Sequence, residues 1–124
     1  MGLIDHSAAR HIANAWLNAF NDHRADLVVE HFAEDVTATS PAIAMLRPQS
    51  GGTLRGKPEV LAFYEEGLQR VPDLQFRLVE VLTGIDQVTI VYHNQRQTLV
   101  AETLTLGPDA TVRAVHVTYG PTPT

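Results

Sequence analysis

Glu102 is the residue whose type and position most suggest chemistry. Residues 97–106 alternate, with Val100, Glu102, Leu104 and Leu106 on one parity and Ala101, Thr103 and Thr105 on the other. Successive strand residues point to opposite faces, so this segment reads as a strand with one apolar face and one small, polar face. Glu102 is the only charge on the apolar face. A following strand, 111–119, puts Val115, Val117 and Tyr119 on one side and Ala114, His116 and Thr118 on the other. The Glu102 carboxyl is thus expected among Val100, Leu104, Val115 and Val117. Desolvation disfavours the ionised form and raises the pKa, which makes such a carboxyl a usable acid or base near neutrality. The alternative is a glutamate at a pocket mouth or dimer seam, paired with Arg113.

Other groups could converge on the same space. Tyr119 and Tyr64 could present hydroxyls to a cavity, although aromatic residues on inward stripes also serve packing. His93 closes the strand 87–93, and an inward imidazole there would be a partner for Glu102. The six histidines include no His-x-His or His-x-x-x-His pair, so no metal site is expected. The absence of cysteine removes thiol nucleophiles, disulfides and thiolate metal sites.

Residues 74–119 position these groups and read as two consecutive antiparallel hairpins. Residues 87–93 are a nearly continuous β-branched and aromatic run, suggesting a strand buried on both faces. Upstream, Leu74, Phe76 and Leu78 alternate with polar residues until the phase changes at Val79-Glu80-Val81, where a bulge would restore the apolar face and curve the sheet. Thr83-Gly84-Ile85-Asp86, Asn94-Gln95-Arg96 and Gly107-Pro108-Asp109-Ala110 supply the turns.

The preceding half reads as helices and loops. Ile12, Trp16 and Phe20 draw an apolar stripe on a helix over 7–21, with Asp5 or Ser7 as N-cap. A short second helix is expected over 25–32, a short strand over 36–40 stopped by Pro41, and a long loop over 42–55. Gly56-Lys57-Pro58-Glu59 opens a third helix, with Leu61, Tyr64 and Leu68 as its inward stripe. The expected fold class is α+β: a cone-like curved antiparallel sheet of one short and four long strands, with three N-terminal helices covering its concave face. The whole span 1–124 reads as one domain, with a natural cavity between sheet and helices.

Composition narrows the function classes. The formal net charge of -5 and the lack of any Lys/Arg run argue against nucleic acid as a partner. No apolar run approaches the ~20 residues of a membrane span, so no membrane partner is expected. The N-terminus lacks the basic and apolar regions of a secretory signal, which makes the cytoplasm the expected location.

The order of elements, with their local motifs, resembles the nuclear transport factor 2-like superfamily, and within it the ketosteroid isomerase and SnoaL-like polyketide cyclase branch. The resembling pieces are Trp16-Leu17-Asn18-Ala19-Phe20-Asn21, His31-Phe32-Ala33-Glu34-Asp35-Val36-Thr37, Leu54-Arg55-Gly56-Lys57 and Val115-His116-Val117-Thr118-Tyr119-Gly120. The isomerases of this family shuttle a proton with an aspartate before a proline near the end of the first strand, where this chain has Ser40-Pro41. A serine hydroxyl is no unassisted base near pH 7, which makes steroid isomerisation by that route an unsuitable assignment. Their first-helix oxyanion tyrosine corresponds to Trp16, whose indole can donate a hydrogen bond but not usefully transfer the proton. Their second, protonated aspartate corresponds, counting back without a gap, to Glu102. The Asp-Arg-Asp set of limonene epoxide hydrolases has no counterpart here.

Three functions are compatible with these residues. One is a cofactor-free cyclase or isomerase in which Glu102 transfers or donates a proton to a small, largely apolar substrate, positioned by Trp16, Ser40, Tyr64, His93, Val115, Val117 and Tyr119. The second is a ligand-binding domain with the same pocket and no turnover. The third is an interaction module using the outer sheet face. A homodimer through that outer face is expected under all three.

Overall fold

The computed structural model describes residues 4–122. Helix α1 (His6–Asn21) starts at Asp5, whose carboxylate accepts a hydrogen bond from the Ala8 N–H at 3.1 Å. Its buried stripe is Ala9, Ala13, Trp16, Leu17 and Phe20. Helix α2 (Ala25–Val28) is one turn long and stops four residues before the expected end. The chain then makes turn-type bonds, Glu30 N–H to the Leu27 carbonyl and Phe32 N–H to the Val29 carbonyl, which carry Phe32 into the core.

Strand β1 (Phe32–Thr39) is therefore a full-length strand, not the short segment expected. It absorbs Ala33-Glu34-Asp35 in a register shift between Phe32 and Thr37 against its neighbour. Ser40-Pro41 then does more than end the strand. Ser40 Oγ accepts from the Ala42 N–H at 3.1 Å and caps helix α3 (Pro41–Leu46), with Pro41 in its first turn. Proline at that position loses no helical hydrogen bond and has the φ a helix requires. A single 3-10 turn (Pro48–Ser50) and strand β2 (Thr53–Arg55) complete the stretch expected as a loop. Helix α4 (Lys57–Arg70) begins after Gly56, whose φ of +96° suits glycine and whose N–H donates to the Val36 carbonyl at 2.7 Å.

The remaining strands are β3 (Arg77–Thr83), β4 (Gln87–His93), β5 (Leu99–Leu106) and β6 (Val112–Tyr119). The expected bulge is present, as a register shift between Leu78 and Glu80. The sheet has six strands in the order β2-β1-β6-β5-β4-β3. It is mixed rather than antiparallel, because β1 runs parallel to β6. Those two strands are separated by most of the chain, so no local hairpin rule could have paired them.

The fold is thus α+β, a curved and unclosed sheet with, among the described residues, four α-helices where three were expected. Helix α1 packs on β3 and β4, while α4 packs on β1 and β2. The core between them contains Val36, Ile43, Val60, Val81, Val88, Ile90, Val100, Leu104 and Val115, all almost completely buried. Strand β4 is buried on one face only, through Val88, Ile90 and Tyr92; Thr89, Val91 and His93 on its other face are half-buried.

Candidate active site

Glu102 points inward, as its parity in β5 requires, and is 4% exposed. It borders a cavity of about 610 Å³ between the sheet and α1, α3 and α4. Tyr92 on β4 donates its hydroxyl proton to Glu102 Oε1 at 2.8 Å. Register explains the contact. Ile90 is directly opposite Glu102, and Tyr92 is opposite Val100, so Tyr92 and Glu102 are diagonal neighbours on one face. Long side chains bridge that diagonal.

Burial raises the Glu102 pKa to about 8, against a smaller downward pull from the Tyr92 hydroxyl. At pH 7 the carboxyl is therefore mostly protonated. All three tyrosines of the chain line this cavity. Burial drives the Tyr92 and Tyr64 phenols well above their ordinary range, and the nearby Glu102 charge adds to the rise. Tyr119 is raised for the same reasons, with the Ser40 hydroxyl partly offsetting the effect. The cavity is consequently lined by neutral phenol donors around one mostly neutral acid.

The walls hold this set in place. The Tyr92 ring stacks on Phe76 with centroids 4.3 Å apart. Phe76 is in turn clamped by Asn21, whose Nδ2 donates to the Phe76 carbonyl at 2.9 Å and whose Oδ1 accepts from the Phe76 N–H at 2.7 Å. Trp16 packs against Phe20, Phe76 and Tyr92.

The structure brings Glu102, Ser40, Tyr64, Val115, Val117 and Tyr119 together around one cavity. Two expected lining residues are elsewhere. Trp16 is behind the wall, separated from the cavity by Phe20, Phe76 and Tyr92, because its stripe on α1 faces the core of β3 and β4. Its indole Nε1 is buried without a hydrogen-bond partner among the described residues. His93 is opposite Leu99 and Arg77, on the outer face of the sheet. Strand alternation gives the inward position to Tyr92, which excludes His93 from contact with Glu102.

Sequence reading missed Tyr92 because the run 87–93 showed no alternation by residue type. Fixing its register through the 94–98 turn would have placed Tyr92 beside Glu102. Asn21 is the last residue of the expected helix 7–21, and Ile43 and Met45 of the cavity wall lie in the stretch 42–55 expected as a loop. Among the described residues, no group of three His, Asp or Glu side chains is arranged to hold a metal ion. No described helix is long and apolar enough to cross a membrane. A second groove of about 550 Å³, beside Leu46, Arg47, Leu54 and Glu59, contains no buried ionisable group.

The SnoaL-like domain family matches residues 13–120. A SnoaL-like protein of unknown function from Burkholderia thailandensis is 32% identical, with a TM-score of 0.91 over 96% of this chain and 99% of that one. More distant likenesses show the fold alone. A candidate ketosteroid isomerase from Kribbella flavida is 17% identical, with a TM-score of 0.72 over 95% of this chain and 82% of that one. A candidate polyketide cyclase from Sinorhizobium meliloti is 13% identical, with a TM-score of 0.70 over 87% and 94%. No curated protein matches the sequence. With a family match across nearly the whole chain, and a relative sharing about a third of its residues and almost all of its fold, the protein belongs to the SnoaL-like domain family.

Proposed function

We propose that this protein binds a small, largely apolar carbonyl or phenol compound in the cone cavity and catalyses a cofactor-free proton transfer on it, of the cyclase or isomerase type. The supporting observation is the buried Glu102–Tyr92 pair at the cavity floor. A protonated carboxyl in a water-poor site donates a hydrogen bond, or a proton, to a substrate oxygen as negative charge develops there. The Tyr64 and Tyr119 hydroxyls add donors to the same region. Val115 and Val117 supply apolar wall, and Ser40 keeps a hydroxyl proton to donate even while its oxygen caps α3.

Ligand binding without turnover is the second reading, and Ser40 is the observation that favours it. A capping serine in place of an aspartate leaves the cavity floor without an ionised base. A homodimer through the outer sheet face accompanies either reading, supported by the small residues Ala101, Thr103, Thr105 and Ala114 on that face.

A thermal-shift panel of aromatic polyketide-like phenols, cyclic enones and terpenoid ketones, run on the wild type and Glu102→Gln, tests both. A ligand at a hundred times its Kd adds ~2.7 kcal/mol, which moves Tm by several degrees. A shift that Glu102→Gln alters, followed by turnover of that compound in the wild type only, supports the enzyme. Equal shifts and no turnover support the binding domain. No shift from any class removes the cavity as a ligand site.

A further inference from the structure

The polar features of the cavity are at its two ends, and only the floor enters the proposed chemistry. The mouth is formed by the β4–β5 turn on one side and the end of α4 on the other, and it brings Arg70, Asp73, Asn94, Gln95 and Arg96 to the cavity. The turn is held rigidly. Asn94 Oδ1 accepts from the Arg96 N–H at 2.9 Å and from the Thr98 N–H at 3.1 Å, and the Asn94 N–H donates to the Thr98 carbonyl at 3.0 Å.

The two arginines of the mouth differ in their partners. Arg70 is bound to Glu66 at 2.8 Å, and the same Glu66 is bound to Arg47 at 2.6 Å. Arg96 makes no ion pair with any described residue. Among the ionisable groups that line the cavity, Arg70 and Arg96 carry two positive charges against the one negative charge of Asp73, with Glu102 mostly neutral, an excess of one. The chain as a whole carries -5, so the mouth reverses the sign of its surroundings. A guanidinium presents paired donors that match a carboxylate.

We propose that the ligand is amphiphilic, with its reacting carbonyl or phenol oxygen at Glu102 and a carboxylate at the mouth, held by Arg96. This rests on the cavity being the ligand site and specifies what enters it. Geometry sets the span. Leu99 and Glu102 are three residues apart on one strand, about 10 Å at the usual rise, and Arg96 is in the turn beyond. A molecule joining both ends is at least the length of two fused six-membered rings.

The test is the affinity of 6-hydroxy-2-naphthoic acid and of its methyl ester, read by naphthol fluorescence, for the wild type, Arg96→Gln and Asp73→Asn. The wild type is expected to prefer the acid about fivefold, the upper range for a solvent-facing ion pair. Arg96→Gln should abolish that preference by weakening the acid more than the ester, and Asp73→Asn should enlarge it. Equal affinity for acid and ester in the wild type overturns the assignment to Arg96, as does a preference that survives Arg96→Gln; both leave the cavity as a ligand site. Binding of neither compound to the wild type overturns the cavity reading and this one with it.

Discussion

Tyr92 and Glu102 share a hydrogen bond of 2.8 Å in the interior of the protein, on adjacent strands and one diagonal step apart. The bond opposes burial: it stabilises the ionised carboxylate, while the surrounding apolar atoms stabilise the neutral acid. Burial wins, and the Glu102 carboxyl is raised from 4.5 to about 8.

Stability should fall as pH rises from 4.5 to about 8. Below 4.5 the carboxyl is protonated in both folded and unfolded chains. Between the two values only the unfolded chain releases the proton, which costs up to ~1.4 kcal/mol per pH unit. Glu102→Gln removes this slope. Denaturant melts at several pH values should show the variant gaining on the wild type by a few kcal/mol between pH 4.5 and 8, with no further gain above it.

Tyr92→Phe should push the Glu102 pKa higher still, because the only group lowering it is gone. In carbon-13 spectra of the labelled carboxyl, the titration midpoint should move to alkaline pH. Stability at pH 7 should fall by about 1 kcal/mol for the lost bond.

Ser40 acts as a helix cap, so replacements should follow capping chemistry. Ser40→Ala should cost ~1 kcal/mol and loosen α3 over the cavity, whereas Ser40→Asp should retain stability near the wild-type value. Thermal melts with hydrogen exchange of the Ala42 amide would separate these outcomes.

Asn21 clamps Phe76 from a helix end. Asn21→Ala leaves the Phe76 N–H and carbonyl without their partner and should cost about 1–3 kcal/mol. Asn21→Asp retains the acceptor and should recover part of that loss in urea melts.

His93 serves as a control. Its side chain is on the outer face, so His93→Gln should leave the affinity of any cavity ligand unchanged, while Tyr119→Phe alters it. A change in cavity affinity in the His93 variant would contradict the register of β4.

Much of this molecule was decided locally. The period of two in 97–106 and 111–119 determined which side of each strand is buried, and so placed Glu102, Val115, Val117 and Tyr119 inward before any partner strand was known. Pro58 marked its helix start through φ alone, local capping chemistry narrowed the first helix start to Asp5 or Ser7, and the phase change at Val79 announced the bulge. These features depend on neighbours within a few residues, where sequence and geometry are tightly coupled.

Tertiary structure decided the rest. The parallel pairing of β1 with β6 joins segments some eighty residues apart, and it lengthened a strand that looked short. Ser40-Pro41 is locally ambiguous, since the same pair ends a strand and begins a helix. Tyr92 became the partner of Glu102 through cross-strand register, which also sent His93 to the opposite face. Trp16 lost its place at the cavity because Phe76, brought in by Asn21 from the far end of α1, stands with Tyr92 in front of it. For β1, Tyr92 and Trp16 the deciding contact is with a residue distant in sequence, which local periodicity does not encode.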